Sequence, residues 1–384
     1  MVWTRSNLPW PDSNRFTFVH YLSALSALYV AGATTLVIHG DIEPRGTWWD
    51  RLLEQHQMHA RQPGRPNRTN EKMKVPHNNT EQKIMGLHNI SVGLSNASTS
   101  PHKEELIHHT LSKRNASPEI SERAEVTKQT DVKEEDSDTT SKIIKDSYSK
   151  NERRSTYGTV YRNSLEKSTS GKTVLFINTA AEPLDSIFQQ EVVLPAHRSD
   201  IMRLLILLKH GGIYQDRDVI WTRRIPTFLR RYPAVACNDW PRYGEWPASF
   251  NIGVMMARPN AEYLKQLLES FRYYRDDKWE YNAILMPYKV YERNPELLYV
   301  DKYLQTTCFR NICHPTWHID YIRSVDDMRQ IDDFRWWQTR SLHFTKPKTP
   351  PSLASLDALR SATDMEGQVA RMVLRASGQA HLLD

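Results

Sequence analysis

The chain has 384 residues, enough for one large domain or two ordinary ones, and 25% of them are charged against 39% hydrophobic. A mean hydropathy of −0.63 is polar for a globular protein and predicts that part of the chain does not pack. The net charge of +6 suits anionic ligands such as phosphates, no Lys/Arg run interleaved with aromatics points to nucleic acid, and Cys237, Cys308 and Cys313 make neither a disulfide scaffold nor a zinc spacing.

The first apolar stretch is residues 16–38, "FTFVHYLSALSALYVAGATTLVI". Leu22, Leu25 and Leu28 fall at helical spacing, Gly32 breaks the helix, and the β-branched "TTLVI" reads as a buried strand. His20, Ser23, Ser26, Thr34 and Thr35 interrupt the run. The stretch is also about as long as a bilayer span, with Arg15 before it and Asp41 and Glu43 after it, so a signal anchor stays open as the alternative.

Composition changes after about residue 60. Residues 61–155 are rich in Asn, Ser, Thr, Lys and Glu, with little periodicity, and are expected to be a disordered insertion. Asn-x-Ser/Thr sequons start at Asn67, Asn78, Asn89, Asn96 and Asn115. They favour exposure to a secretory lumen, though a tract of this composition also makes sequons by chance. Cys308 and Cys313 could close a small loop in such a compartment or remain two buried thiols.

Packed structure is expected again near residue 172. "KTVLFINT" reads as a buried strand. "HRSDIMRLLILLKHGG" reads as a helix with Asp200 near its start, a Lys/His last turn and glycines to stop it. "IYQDRDVIW" follows as a strand edge or tight loop. "YPAVACND" and "NIGVMMARP" are strand candidates, and "NAEYLKQLLESFRYYRD" is an amphipathic helix. After about residue 350 the chain is Ser/Ala-rich, with a candidate short final helix. Strands alternating with helices predict an α/β sandwich with a largely parallel sheet, which binds ligands at the carboxyl ends of its strands. The expected division is 1–60 and 156–350 as two parts of one catalytic domain, 61–155 as the insertion and 351–384 as a C-terminal tail.

The chemistry concentrates in "HGGIYQDRDVIW", residues 210–221. Two carboxylates at i and i+2 in a loop, Asp216 and Asp218, can converge on one hard cation. Mg2+ or Mn2+ would keep open positions for substrate phosphates. Gly211 and Gly212 let the backbone turn tightly and approach a ligand.

This segment resembles the sugar-binding region of the DXD-containing glycosyltransferases. That group includes α-1,4-galactosyltransferases, α-1,4-N-acetylglucosaminyltransferases and initiating mannosyltransferases. The resemblance rests on Ser199, Asp200, Arg203, Gly211, Gly212, Tyr214, Asp216 and Asp218. It extends less specifically to residues 16–52 with a Trp48-Trp49 loop, to "FNIGVMMARPN" and to "SLHFT". It implies a GT-A fold, a Rossmann-like sandwich with a mostly parallel central sheet. It also implies Mn2+ or Mg2+ dependence, a nucleotide-sugar donor and retention of anomeric configuration.

Carried over, Asp218 binds the metal, and Asp216 binds the metal, the donor ribose or both. Gly211, Gly212 and Tyr214 belong to the same donor-binding segment. Asp200 and Arg203 contact the donor sugar, although at i, i+3 they could simply pair with each other. His343 is a candidate third metal ligand or an ordinary buried histidine. Asn251 reaches sugar or acceptor, or satisfies strand-end backbone groups. Trp240, Tyr243 and Trp246 are candidates for the acceptor, a glycan or glycolipid. Trp48, Trp49, Trp336 and Trp337 are expected to pack. The donor implied is a UDP-sugar, with GDP-mannose or a catalytically inactive carbohydrate-binding relative as alternatives. The implied location is the Golgi or secretory lumen, with membrane association through an N-terminal anchor.

Overall fold

The structure is a computed structural model, and it describes residues 1–3, 14–56, 171–179, 184–239, 249–310, 312–317, 334–347 and 349–384. By its internal contacts the chain divides into Met1–Ala60 with Thr140–Asp384, and Arg61–Thr139. All described residues belong to the first unit. The sequons and the aromatics Trp240, Tyr243 and Trp246 lie outside the described residues.

Residues 16–38 form a helix and a strand, as the interrupted pattern predicts. Helix α1 is Phe18–Leu25, continued by a π-helical turn over Ser26–Val30. Strand β2, Thr35–Gly40, lies between β1, Val2–Trp3, and β3, Thr173–Asn178, in a three-stranded parallel sheet. Among the described residues no helix is long and apolar enough to cross a membrane. The Trp-Trp segment is helical rather than a loop. Helix α2, Thr47–His56, buries Trp49 against Phe16 and stacks Trp48 near Phe18 and Tyr21. Trp337, in contrast, is 51% exposed.

After a small hairpin of β4, Ser186–Ile187, and β5, Gln190–Glu191, helix α3 spans Pro195–His210. It starts at a proline, which gives up no needed hydrogen bond in the first turn. Strands β6, Gly212–Gln215, and β7, Val219–Trp221, flank Asp216-Arg217-Asp218. β8 is Ala234–Asn238 and β9 is Phe250–Ala257, followed by helices α4, Glu262–Ser270, and α5, Met286–Arg293. β10 is Tyr299–Val300, β11 Thr306–Phe309, β12 Ile312–His314 and β13 Ser341–Lys346.

The α/β class holds, and among the described residues parallel and antiparallel pairs are mixed rather than mostly parallel. One four-stranded sheet has the order β10-β8-β9-β6 and another β12-β11-β13-β7. Only β10/β8 and β11/β13 pair in parallel within them, and the other pairs are antiparallel. Parallel neighbours need a long crossover. The two-residue link between β11 and β12 forces a hairpin instead, and Cys308 and Cys313 face each other across it in a disulfide with Cα atoms 4.0 Å apart. Cys237 is free and buried.

The segment expected to be a tail folds back onto the body. Helix α6, Leu356–Ser361, and helix α7, Met365–Ala376, are capped by Ser355 and Asp364. Val369, Ala370, Val373 and Leu374 form a helical stripe, fully buried against the same cluster that holds α1.

The apolar residues form two clusters. One joins α1, β2, β7, β13 and α7, and the other joins α3, β8, β9 and α4. The Asp216–Asp218 turn connects β6, in the sheet of the second, to β7, in the first. Gly211 makes the turn from α3 into β6 with φ +64 and ψ −166, a conformation essentially reserved for glycine. A Cβ there would fall 2.6 Å from Pro259 Cδ and 2.8 Å from the Pro259 nitrogen. Gly211→Ala is therefore expected to cost about 2–4 kcal/mol in thermal or denaturant unfolding. A loss below about 1 kcal/mol would show that the turn adapts.

Candidate functional site

Alternation along β6 sends Tyr214 and Asp216 to one face and Gln215 to the other. Asp216 N–H donates to the Gly253 carbonyl at 2.7 Å, which continues the β6/β9 ladder into the turn. On the other side β7 pairs with β13, His343 opposite Val219, and Phe344 N–H donates to the Asp218 carbonyl at 3.1 Å. The two ladders bring together residues distant in sequence. Asp216, Asp218 and His343 each offer a ligand atom, and these atoms all lie within 4.8 Å of one another. His343 Nε2 is 3.3 Å from Asp218 Oδ1 and 3.7 Å from Asp216 Oδ2.

Ligands at adjacent positions about 2.1 Å from one Mg2+- or Mn2+-like ion lie about 3 Å apart, close to the 3.3 and 3.7 Å between His343 and the two carboxylates. Two carboxylates and an imidazole suit such an ion chemically. Burial lowers the His343 pKa, but Asp218 and then Asp216 outweigh it and hold the imidazole above its usual range. The same negative field favours a cation. Gly253 leaves room for the ring, since a Cβ there would come within 2.6 Å of His343 Cε1 and 2.7 Å of His343 Nδ1.

Arg203 is the hub of the other half of the site. Its Nη2 lies 2.8 Å from Asp200 Oδ1 and 3.2 Å from Asp216 Oδ1, and its Nη1 donates to the Ile252 carbonyl at 2.8 Å. Its guanidinium sits 4.5 Å from the centre of the Tyr214 ring. Tyr214 donates to Asp216 Oδ1 at 2.6 Å and lies 3.3 Å from Ser199 Oγ. Burial works against the Arg203 charge, but Asp216, Tyr214 and Asp200 keep it firmly protonated. Asp200 must share that cation with Asp216. Burial therefore pushes its carboxyl up to about 6, Arg203 offsetting only part of the effect. Burial also raises Tyr214 well above the usual tyrosine range.

Asp200 and Arg203 thus do pair at i, i+3, and the pair is tied to the DXD turn rather than isolated from it. Asn251 Oδ1 accepts from Gly253 N–H at 2.8 Å, the backbone-satisfying role open to it. This holds Asn251 beside the glycine that leaves room for His343.

The reverse face of the turn explains the serines that interrupt the first apolar stretch. Gln215 Nε2 donates to Ser23 Oγ at 2.9 Å, Trp221 Nε1 donates to Gln215 Oε1 at 2.6 Å, and Trp221 N–H donates to Ser26 Oγ at 2.9 Å. Two hydroxyls of the α1 region hold the strands on both sides of the carboxylates. Buried polar groups are satisfied this way far more often than left bare. Gly253, Ser23 and Ser26 were not legible as site residues. The period-two spacing of Asn251 and Gly253 on β9 was the available signal for the first.

Residues 126–241 match the family model described as "Glycosyltransferase sugar-binding region containing DXD motif". Among curated proteins the chain is similar to glucan organizing enzyme 1 of Cryptococcus neoformans var. grubii serotype A. The two are 22% identical over 180 residues, 44% of this chain and 47% of that one. The chain thus spans about half the length of the curated relative it matches. No solved structure is significantly similar. Asp200, Arg203, Asp216 and Asp218 all lie inside the segment that matches this family model.

Proposed function

We propose that the protein is a metal-dependent retaining glycosyltransferase. It would move a hexose or N-acetylhexosamine from a nucleotide-sugar, a UDP-sugar by preference, to a glycan or glycolipid. The observation that carries this is the convergence of Asp216, Asp218 and His343 within 4.8 Å, beside the Arg203–Asp200 pair. Asp216, Asp218 and His343 would hold Mn2+ or Mg2+. That ion supplies a Lewis acid for the negative charge developing on the departing diphosphate. Tyr214 and Arg203 orient Asp216 from the other side. Gly211 and Gly212 keep the backbone slim at the donor segment.

Asp200, fixed by Arg203, is positioned to accept hydrogen bonds from donor-sugar hydroxyls, and Arg203 adds positive charge near the leaving group. No side chain in the described site presents itself as an enzymatic nucleophile, which favours same-face attack by the acceptor hydroxyl. Asn251 would line the sugar or acceptor side through its amide nitrogen. The Cys308–Cys313 disulfide supports an oxidising compartment such as the Golgi or secretory lumen. The relative's name, concerned with glucan, is in keeping with a glycan acceptor.

The test is nucleotide release from a panel of UDP- and GDP-sugars with and without Mn2+. Mn2+-dependent release from one donor is expected, and a GDP-mannose donor would revise the sugar-nucleotide choice. A cooperatively melting protein that neither releases nor binds any nucleotide in Mn2+ would overturn the proposal.

A further inference from the structure

One helical turn before Asp200 on α3, His197 is only 1% exposed. Its Nδ1 lies 3.0 Å from the Tyr274 hydroxyl and 3.1 Å from Asp276 Oδ1. The Tyr274 hydroxyl also donates to Asp276. Asp276 is itself fixed, because the backbone N–H groups of Val193 and Leu194 both donate to its Oδ1 at 3.3 Å, at the start of α3. A carboxylate selects the nitrogen that bears the proton. The Nδ1–H tautomer follows, and Nε2 is left as an acceptor. Nε2 is buried and makes no hydrogen bond among the described residues. Such atoms are rare in folded proteins, and each calls for a reason.

The position supplies one. His197, Asp200 and Arg203 follow one another at three-residue spacing along one side of α3. The Trp279 ring centre lies 5.9 Å from that of His197 and Trp279 is 51% exposed, so His197 sits one side chain below the surface.

We propose that His197 is a further donor-sugar contact beside Asp200 and Arg203, its Nε2 accepting a hydrogen bond from a hydroxyl of the transferred sugar. The assignment rests on the glycosyltransferase reading above and deepens it. It makes His197 a determinant of which sugar is held, and not of how the nucleotide is held. Asp276 and Tyr274 are positioning residues that set the tautomer.

His197→Asn keeps an amide donor for Asp276 and removes the acceptor at Nε2. Binding is measured in Mn2+ for UDP-glucose, UDP-galactose, UDP-N-acetylglucosamine and GDP-mannose, and for UDP and GDP alone. The variant is expected to bind the preferred nucleotide-sugar about tenfold more weakly, the loss of one buried hydrogen bond, with the bare nucleotide unchanged within about twofold. His197→Gln, whose amide reaches toward the Nε2 position, is expected to recover part of the loss. Should His197→Asn fail to melt cooperatively, His197→Phe, which keeps a ring against Trp279, carries the same comparison. Equal weakening of sugar-bearing and bare nucleotides, or weakening of neither, overturns the assignment. A wild-type protein that binds no nucleotide-sugar overturns it as well. Binding of bare UDP or GDP would then show that the wider glycosyltransferase reading survives, and its absence that both fall.

Discussion

Asp218→Ala is expected to lower Mn2+-dependent nucleotide release by about 10²–10³-fold or more while leaving the metal-free fold within about 1 kcal/mol of the wild type. The two halves of this expectation have one cause. Asp218 Oδ1 lies 3.3 Å from His343 Nε2, and Asp216 Oδ2 lies 3.7 Å from the same nitrogen. Without a cation, neighbouring carboxylates disfavour each other, so alanine removes repulsion along with any favourable contact. With a cation, alanine deletes a ligand and the negative charge that draws the ion in. Rising Mn2+ should therefore raise the melting temperature of the wild type and not that of the variant. Equal stabilisation of both proteins by Mn2+ would place the ion elsewhere. The Asp218 backbone accepts from Phe344 N–H, an interaction alanine retains.

Arg203→Met is expected to destabilise the fold by about 3–5 kcal/mol at pH 7 and to abolish nucleotide-sugar binding. Methionine roughly fills the volume of the stem but leaves the Asp200 carboxylate buried, Asp216 without its 3.2 Å partner, and the Ile252 carbonyl without its donor. The cost should depend on pH. Asp200 already sits at about 6, above its ordinary 3.8, because burial disfavours its charge. A carboxyl whose folded pKa exceeds its unfolded value makes the fold less stable as pH rises between the two. The penalty is relieved as pH falls through the folded value toward the unfolded one. Loss of Arg203 raises the folded value further, so the gap between variant and wild type should narrow from pH 7 to pH 5. Adding Asp200→Asn should flatten that dependence and recover part of the stability, since the two positions are in contact. A pH-independent loss would mean that Asp200 is not the group left exposed to the penalty.

The central helix, the glycine turn and the acidic turn were legible in order because each is a local pattern. An apolar period along residues 197–210 reads as a helix, Gly211 marks its end, and two aspartates at i, i+2 mark a cation site. His343 was visible as a candidate only through resemblance. What brings it to Asp218 is the β7/β13 ladder, a pairing of distant segments with no local signature. The direction of the sheets was misjudged for a related reason. Several strands here are two to four residues long, as with β1, β10 and β12, and periodicity over so few residues carries neither partner nor direction. The serines of the first apolar stretch were readable as interruptions. Their task, bonding Gln215 and Trp221, depends on contacts far along the chain. His197 carries no local signal in the sequence, because the Tyr274 and Asp276 contacts on its ring come from far along the chain.

The most direct test of the metal site is pulsed electron paramagnetic resonance of Mn2+ bound to the purified protein, read for nitrogen coupling. Wild type is expected to show one directly bound histidine nitrogen, absent in His343→Ala, and Asp216→Ala and Asp218→Ala are expected to bind the ion far more weakly. Mn2+ bound without a nitrogen ligand, or with a coupling that survives His343→Ala, would contradict a centre built from Asp216, Asp218 and His343.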